Sequence, residues 1–401
     1  MKTKRLNLGL FFLICVFLPV AGCGKEYRYV APKHERPEYV QPFKDKFPII
    51  AWTGIDATES AVKFPLMRDC GINTYLGWYD SLDEVVMALD NAEKTGVKAI
   101  LSCGALRTDT EKTVARMKGF SSLLGYHITD EPETSDFPSL KTMVASIQDL
   151  DAYHPCYINV YPNWAWGVSD YQAKLKLFLH EVSVPFLSFD NYPVYVTPEG
   201  RTVLREDWYR NLEEVRNVSR EYGVPFWAFA LALAHSIPDY EYPIPTLAHL
   251  RLQQFSNLVY GAQAFQYFTW WGICHEGPTQ VYDRVKQVNS ELQGLSEIFL
   301  DAEVKEVWHT GPELPAGTKA LGTLPAQVKS LATSGKGAVI SLVEKGGSTF
   351  LAVVNKDFEN PMSLSISAEA AARTVSKKGD LSSLVPVYSI EPGDIIIFKL
   401  K

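Results

Sequence analysis

Beyond the opening "MKTKR", the 401 residues never gather Lys and Arg into a block, and the net charge is −7. Nucleic acid is therefore not an expected partner, because phosphate binding needs a concentrated basic face. Only six cysteines occur, none spaced as CxxC, which removes the common zinc and thioredoxin-like arrangements. GxGxxG, the P-loop, GxSxG and HExxH are all missing. Without those motifs or any metal-ligand cluster, neither metal nor cofactor is expected. Hydrophobic runs long enough to cross a membrane are also lacking; the longest, "LGLFFLICVFLPVA", has 14 residues.

What is present begins at that run. A basic start, a short apolar stretch and "VAGC" resemble the bacterial lipobox, whose Cys carries lipid and becomes the mature N-terminus. The resemblance implies a signal peptide over 1–22, lipidation of Cys23, and a location on a bacterial membrane. The outer membrane is the first choice there, with the periplasmic and cell-surface sides both open. An ordinary signal peptide or an anchor helix is the alternative. Residues 23–46 are charged and hold three prolines, which reads as a lipid-anchored linker. Cys70, Cys103, Cys156 and Cys274 read as buried free thiols, with a disulfide among them the alternative in an exported protein.

From residue 47 one rhythm repeats. Short apolar runs, mostly without strict alternation, are each followed by a turn and a helical stretch. They are "PIIAWTGI", "INTYLGWY", "VKAILSCG", "LLGYHITDE", "CYINVYP", "FLSFDNYP", "PFWAFALALAH" and "AFQYFTWWG". Runs of this kind are strands buried on both faces. Eight of them over about 250 residues predict a (β/α)8 TIM barrel across 47–300. A doubly wound sheet is the alternative, although its glycine-rich first turn is missing. After residue 300, short strands around "KGGS" and "EPGD" predict a small C-terminal antiparallel β-sandwich over 301–401 with a packing role.

Chemistry in such a barrel collects where strands end. The ends carry Trp78; His127, Asp130 and Glu131; Asn159 and Tyr161; Asp190 and Tyr192; His235; Trp270 and Trp271; and, just beyond, Glu276. Carboxylates beside Trp and Tyr suit glycoside chemistry: one acid protonates the glycosidic oxygen and a second carboxylate attacks or activates water. The aromatic faces would stack on sugar rings. The bland readings are a first-turn acid for Glu131, a turn cap for Asp190, and core packing for the His and Trp residues.

These segments resemble clan A glycoside hydrolases, and most of all the family 42 β-galactosidases. "GYHITDEP" is similar to the clan's strand-four motif, "FLSFDNYP" to the family 42 strand-six segment, and "FQYFTWWG" to the clan's aromatic strand eight. The resemblance implies that Glu131 is the general acid/base, with Asp130 in the place of the clan's Asn. It implies a nucleophilic Glu at the end of strand seven, where this sequence has no acid from Phe226 to Pro238. Asp190, then Glu276, are the candidates for the second carboxylate. The alternatives are an inactive surface glycan-binding lipoprotein of a polysaccharide-utilisation system, or a structural lipoprotein in an outer-membrane assembly. A carbohydrate is the expected ligand, and other outer-membrane glycan-uptake proteins are candidate partners.

Overall fold

A computed structural model describes residues 36–401 with the exception of Asp239; Cys23 and the segments assigned as signal peptide lie outside the described residues. The eight apolar runs form eight parallel strands closed into a barrel in chain order. They are β1 Ile49–Trp52, β2 Thr74–Tyr79, β3 Lys98–Cys103, β4 Leu123–Asp130, β5 Cys156–Val160, β6 Leu187–Phe189, β7 Phe226–Leu231 and β8 Ala264–Phe268. β7 is buried at every residue, as strands between a filled interior and a helical jacket must be. Helix boundaries follow local chemistry. Ser81 closes a capping box with Glu84 at the start of Leu82–Thr95, and Gly96 ends that helix at φ 71°.

Two excursions leave the barrel at the carboxyl ends of its strands. After β6 come Val194–Val196 and Thr202–Leu204; after β7 come His235–Ile237 and Tyr240–Tyr242. They join into one four-stranded antiparallel sheet, with Glu241 paired to Val196. The apolar runs of strands six and seven therefore continue into a wall beside the mouth.

The C-terminal region is a sandwich of a six-stranded and a three-stranded antiparallel sheet. Its larger sheet serves two cores by strand alternation. Ala338, Ile340, Leu351, Val353 and Phe398 face the smaller sheet. Their neighbours Val339, Val343, Ala352, Val354 and Ile397 join the barrel's own core. Polar links lie in the same interface: the Tyr260 hydroxyl is 2.8 Å from His309 Nε2 and donates to Glu213 at 3.1 Å.

The linker reading of residues 23–46 needs correcting at its described end. Residues 36–46 contain no helix or strand, yet they lie against the floor of the barrel. The Tyr39 ring meets Phe186 at 6.0 Å and Trp227 at 6.4 Å, both edge-on. Asp45 accepts a hydrogen bond from Ser296 at 3.0 Å. An aromatic ring inside a charged, proline-bearing stretch gives no periodic signal, so only the closed barrel floor shows what it covers. Tyr39→Ala is expected to lower stability by about 2 kcal/mol, since it uncovers two buried rings. A chemical denaturation series checks this, and an unchanged midpoint would mean the segment is only draped there. All four body cysteines are buried and free.

Candidate active site

The site starts from an irregularity in β4. Pairing with β5 runs His127 to Tyr157, then skips a residue, so that Thr129 faces Ile158 and Asp130 faces Asn159. Simple alternation would send His127 and Thr129 to one face and Asp130 to the other. The extra residue turns Asp130 inward along with His127. The chain then turns at Glu131, which has φ 44°, an unfavourable region for a residue with a Cβ, while its N–H donates to Asn159 O at 2.9 Å. By these two devices both consecutive acids serve the same mouth.

Asn159 organises the carboxylates. Its amide donates to Asp190 Oδ1 at 2.8 Å and to Asp130 Oδ1 at 3.2 Å. The amide is oriented from below: Ser188 Oγ donates to Asn159 Oδ1 at 2.9 Å, and Gln266 Nε2 donates to Ser188 Oγ at 2.9 Å. The Tyr157 hydroxyl lies 2.8 Å from Ser188 Oγ and donates to Gln266 Oε1 at 2.8 Å. Sequence reasoning picked out Asn159 but missed Tyr157, Ser188 and Gln266. Tyr157 and Ser188 had one signal, a place two residues before Asn159 and Asp190 on the same strand face, and Gln266 had only its polarity inside an apolar run.

The Glu131 carboxyl lies within interaction range of Asp190 and Asp130. Burial first, then the charges of Asp190 and Asp130, push Glu131 far above the usual carboxylate range. Asp190 is raised too, by burial and by Asp130, although Asn159 and the Tyr192 hydroxyl favour its charged form. Asp130 stands at the open rim. Even so, the surrounding protein lifts its carboxyl to about 6, against the opposing Asn159 hydrogen bond. The arrangement is three acids at one mouth, two of them bridged by the Asn159 amide, so that they titrate together. Among the described residues, no group of three His, Cys, Asp or Glu side chains is placed to hold a metal ion.

No protein-family model matches this sequence, and neither does any curated protein. Solved structures do resemble it. A putative α-L-fucosidase from Bacteroides thetaiotaomicron is 15% identical, with a TM-score of 0.45, over 63% of this chain and 98% of that one. A β-galactosidase from Marinomonas ef1 is 11% identical, with a TM-score of 0.46, over 62% and 60%. An endoglucanase from Pseudomonas stutzeri is 15% identical, with a TM-score of 0.43, over 57% and 84%. The functional reading rests on the site itself.

The other candidate residues divide into three groups. Trp78 and Trp271 are 47% and 53% exposed. Trp78 ends β2, and Trp271 lies over Gly54, just after β1. A Cβ at Gly54 would come within 2.8 Å of the Trp271 ring, and Gly54 has φ 106°. Because β8, β1 and β2 are neighbours, these rings form one arc of the mouth, opposite the arc of β4, β5 and β6 that bears the acids. Tyr192 lies near Asp190 and acts on its charge, and its ring meets Phe268 at 5.5 Å. His235 stacks on Tyr242 at 4.7 Å, on the wall sheet. Tyr161 is half-buried near Glu131, whose charge acts on it.

Beneath these lies His127. It is buried among Trp78, Trp52 and Tyr157, with ring centroids at 5.5, 5.5 and 6.0 Å. Burial, with Arg107 in second place, lowers its pKa to about 4, so it is a neutral floor to the mouth.

Two candidates are corrected. Trp270 has no exposed surface and packs in the barrel core, because the short turn Trp270–Ile273 points it inward and its neighbour outward. Glu276 is exposed on the loop after that turn, and the charges acting on Glu131 are those of Asp190 and Asp130. The end of β7 is also closed: Ala232 is fully buried, its N–H donates to Phe268 O at 2.8 Å, and Gly272 lies against its carbonyl.

Proposed function

We propose that this protein is a glycoside hydrolase acting on an oligo- or polysaccharide, with Glu131 as general acid and Asp190 as the second carboxylate. The observation that carries this reading is the cluster of Glu131, Asp130 and Asp190 gathered around Asn159 and facing an arc of exposed tryptophans. Glu131 keeps its proton near neutral pH and delivers it to the glycosidic oxygen as the C–O bond breaks. Asp190, held towards its charged form by Asn159 and Tyr192, takes a proton from the water that adds to the anomeric carbon. With product gone, the proton passes from Asp190 back to Glu131, which resets the pair.

Asp190 acting on a water requires inversion, which needs the two carboxyl groups about 6.5–9.5 Å apart. In the structure the two interact directly, so the pair must part when a sugar and a water enter. The end of β7, where the family resemblance implies a retaining nucleophile, has no acid, and Ala232 just after it is buried. The test is reducing-sugar release from a glycan panel, with proton NMR of the first-formed anomer. Retention, or no turnover on any glycan, would sink this mechanism.

The closed β7 end favours one second reading, in which the mouth binds glycan without cutting it. Retardation in affinity gels with no turnover would establish it. Under either reading, Trp78→Ala and Trp271→Ala are each expected to weaken saccharide binding by about 1–2 kcal/mol, roughly tenfold in KM or Kd. Calorimetric titration checks this, and unchanged affinity in both variants would move the ligand elsewhere.

The lipobox-like "VAGC" supports a lipid anchor at Cys23 on a bacterial membrane, and the strand motifs support placing the barrel near the family 42 β-galactosidases. On that reading the protein works beside other outer-membrane glycan-uptake proteins.

A further inference from the structure

A second cavity, of about 470 Å³, lies away from the mouth, in the cleft between the barrel and the β-sandwich. Its walls are mainly apolar and aromatic, with Leu204, Tyr209, Leu314, Pro315 and Phe358 among them. Lys356 is one of its lining residues. This residue is 6% exposed, which is rare for a lysine without a counter-charge. Among the described residues, no carboxylate lies within ion-pairing distance of its ammonium, although ion pairs involving many other lysines are present.

The neighbouring charges do not fill that role. Lys336, also on the cavity wall, is held by Asp357 at 3.3 Å and Glu359 at 3.4 Å and lies over the Phe358 ring. Glu206 and Glu313 are exposed at the rim. The Arg205 guanidinium is enclosed by Tyr240 at 4.1 Å and Trp164 at 4.7 Å. His309, whose pKa Lys356 helps to depress, is neutral. Burial alone pulls the Lys356 ammonium down to about 8, so the amine is still mostly charged at pH 7 and lacks an anion. A cation on a largely buried side chain, held without a counter-charge in a mainly apolar cleft, is poorly screened, and an incoming anion would pair with it.

We propose that this cleft binds the carboxylate or sulfate group of a sugar-sized ligand, with Lys356 as the recognising cation. The apolar and aromatic wall fits the ring of such a ligand while the lysine takes its charge. The anionic part stands on the cleft alone; the sugar part rests on the glycan reading of the mouth. Such a site would hold an acidic polysaccharide at a distance from the carboxylates that act on it.

The test measures binding and not hydrolysis, so loss of either activity can be told from loss of the other. Thermal melting of the wild-type protein is followed at pH 7 with millimolar glucuronate, glucose 6-sulfate, glucose, or inorganic sulfate. Glucuronate or glucose 6-sulfate is expected to raise the melting temperature by roughly 1–3 °C near saturation, and whichever acts identifies the anion. Lys356→Met is expected to melt at or above the wild-type temperature and to lose the response. Lys356→Arg should keep it, and serves if the Met variant does not fold. The proposal is overturned if neither acidic sugar shifts the melt, if Lys356→Met responds as fully as wild type, or if glucose or inorganic sulfate alone gives the same shift.

Discussion

Glu131→Gln is expected to cut glycoside turnover by about 10²–10⁴-fold, the usual contribution of a general acid, while making the protein more stable at pH 7. The two effects share one cause. The substituted amide would keep the shape, but it has no proton to deliver. It also has no charge to suppress. In the native protein, burial and two neighbouring acids raise the Glu131 pKa, so the folded state prefers the protonated form.

The sign follows from linkage. Below the ordinary carboxylate range both folded and unfolded chains hold this proton, and stability is at its full value. As pH rises through about 4–5, the unfolded chain loses the proton first and gains from doing so. Stability then declines until the raised folded pKa is passed. Each unit of that rise is worth about 1.4 kcal/mol before allowance for solvent at the half-open mouth. Glu131→Gln removes this decline, so its melting temperature should exceed wild type by several degrees at pH 7–8 and match it near pH 4. Melting curves across pH and initial rates on a responsive glycan check both halves. A variant less stable than wild type at pH 7 would mean that Glu131 is charged and satisfied there, which the acid role cannot accommodate.

Gly272→Ala is expected to destabilise the protein by about 3–5 kcal/mol. A Cβ on Gly272 would lie 2.1 Å from the carbonyl oxygen of Ala232 and 2.7 Å from its carbonyl carbon. Both are backbone atoms at the end of a barrel strand, so no side chain can rotate away. Relief requires the turn after β8 to lift from β7, and that turn carries Trp270 into the core and Trp271 to the mouth. The variant should therefore lose stability and saccharide affinity together. A denaturant midpoint within experimental error of wild type would show that the β7–β8 seam is loose. In that event the sealed strand-seven end could not explain the missing nucleophile.

Much of the architecture could be read from the chain. Doubly buried strands are written as unbroken apolar runs, because every side chain along them meets either the barrel interior or a helix. Eight such runs with helical intervals leave few ways to close a sheet, and the acids and aromatics at their ends mark one rim. The alternating pattern after residue 300 announces an antiparallel sandwich by the same local logic.

What lies between the strands was not readable. Asp130 and Glu131 share a rim because β4 inserts one residue against β5, and a one-residue shift in pairing leaves no trace in composition. Asp190 and Glu276 are both acids following apolar runs; only closure of the ring sets the first beside Glu131 and leaves the second in solvent. Trp270 and Trp271 are consecutive and identical in type, yet one is core and the other mouth, decided by a short turn seated on Ala232 and Gly54. Lys356 looks like any lysine after a strand end until the sandwich and the barrel form a cleft around it and bury most of its side chain. Local sequence fixes the period and the faces of each element, because those depend on near neighbours along the chain. Which charges meet across the barrel depends on register and closure, and these are settled only when all eight strands pack at once.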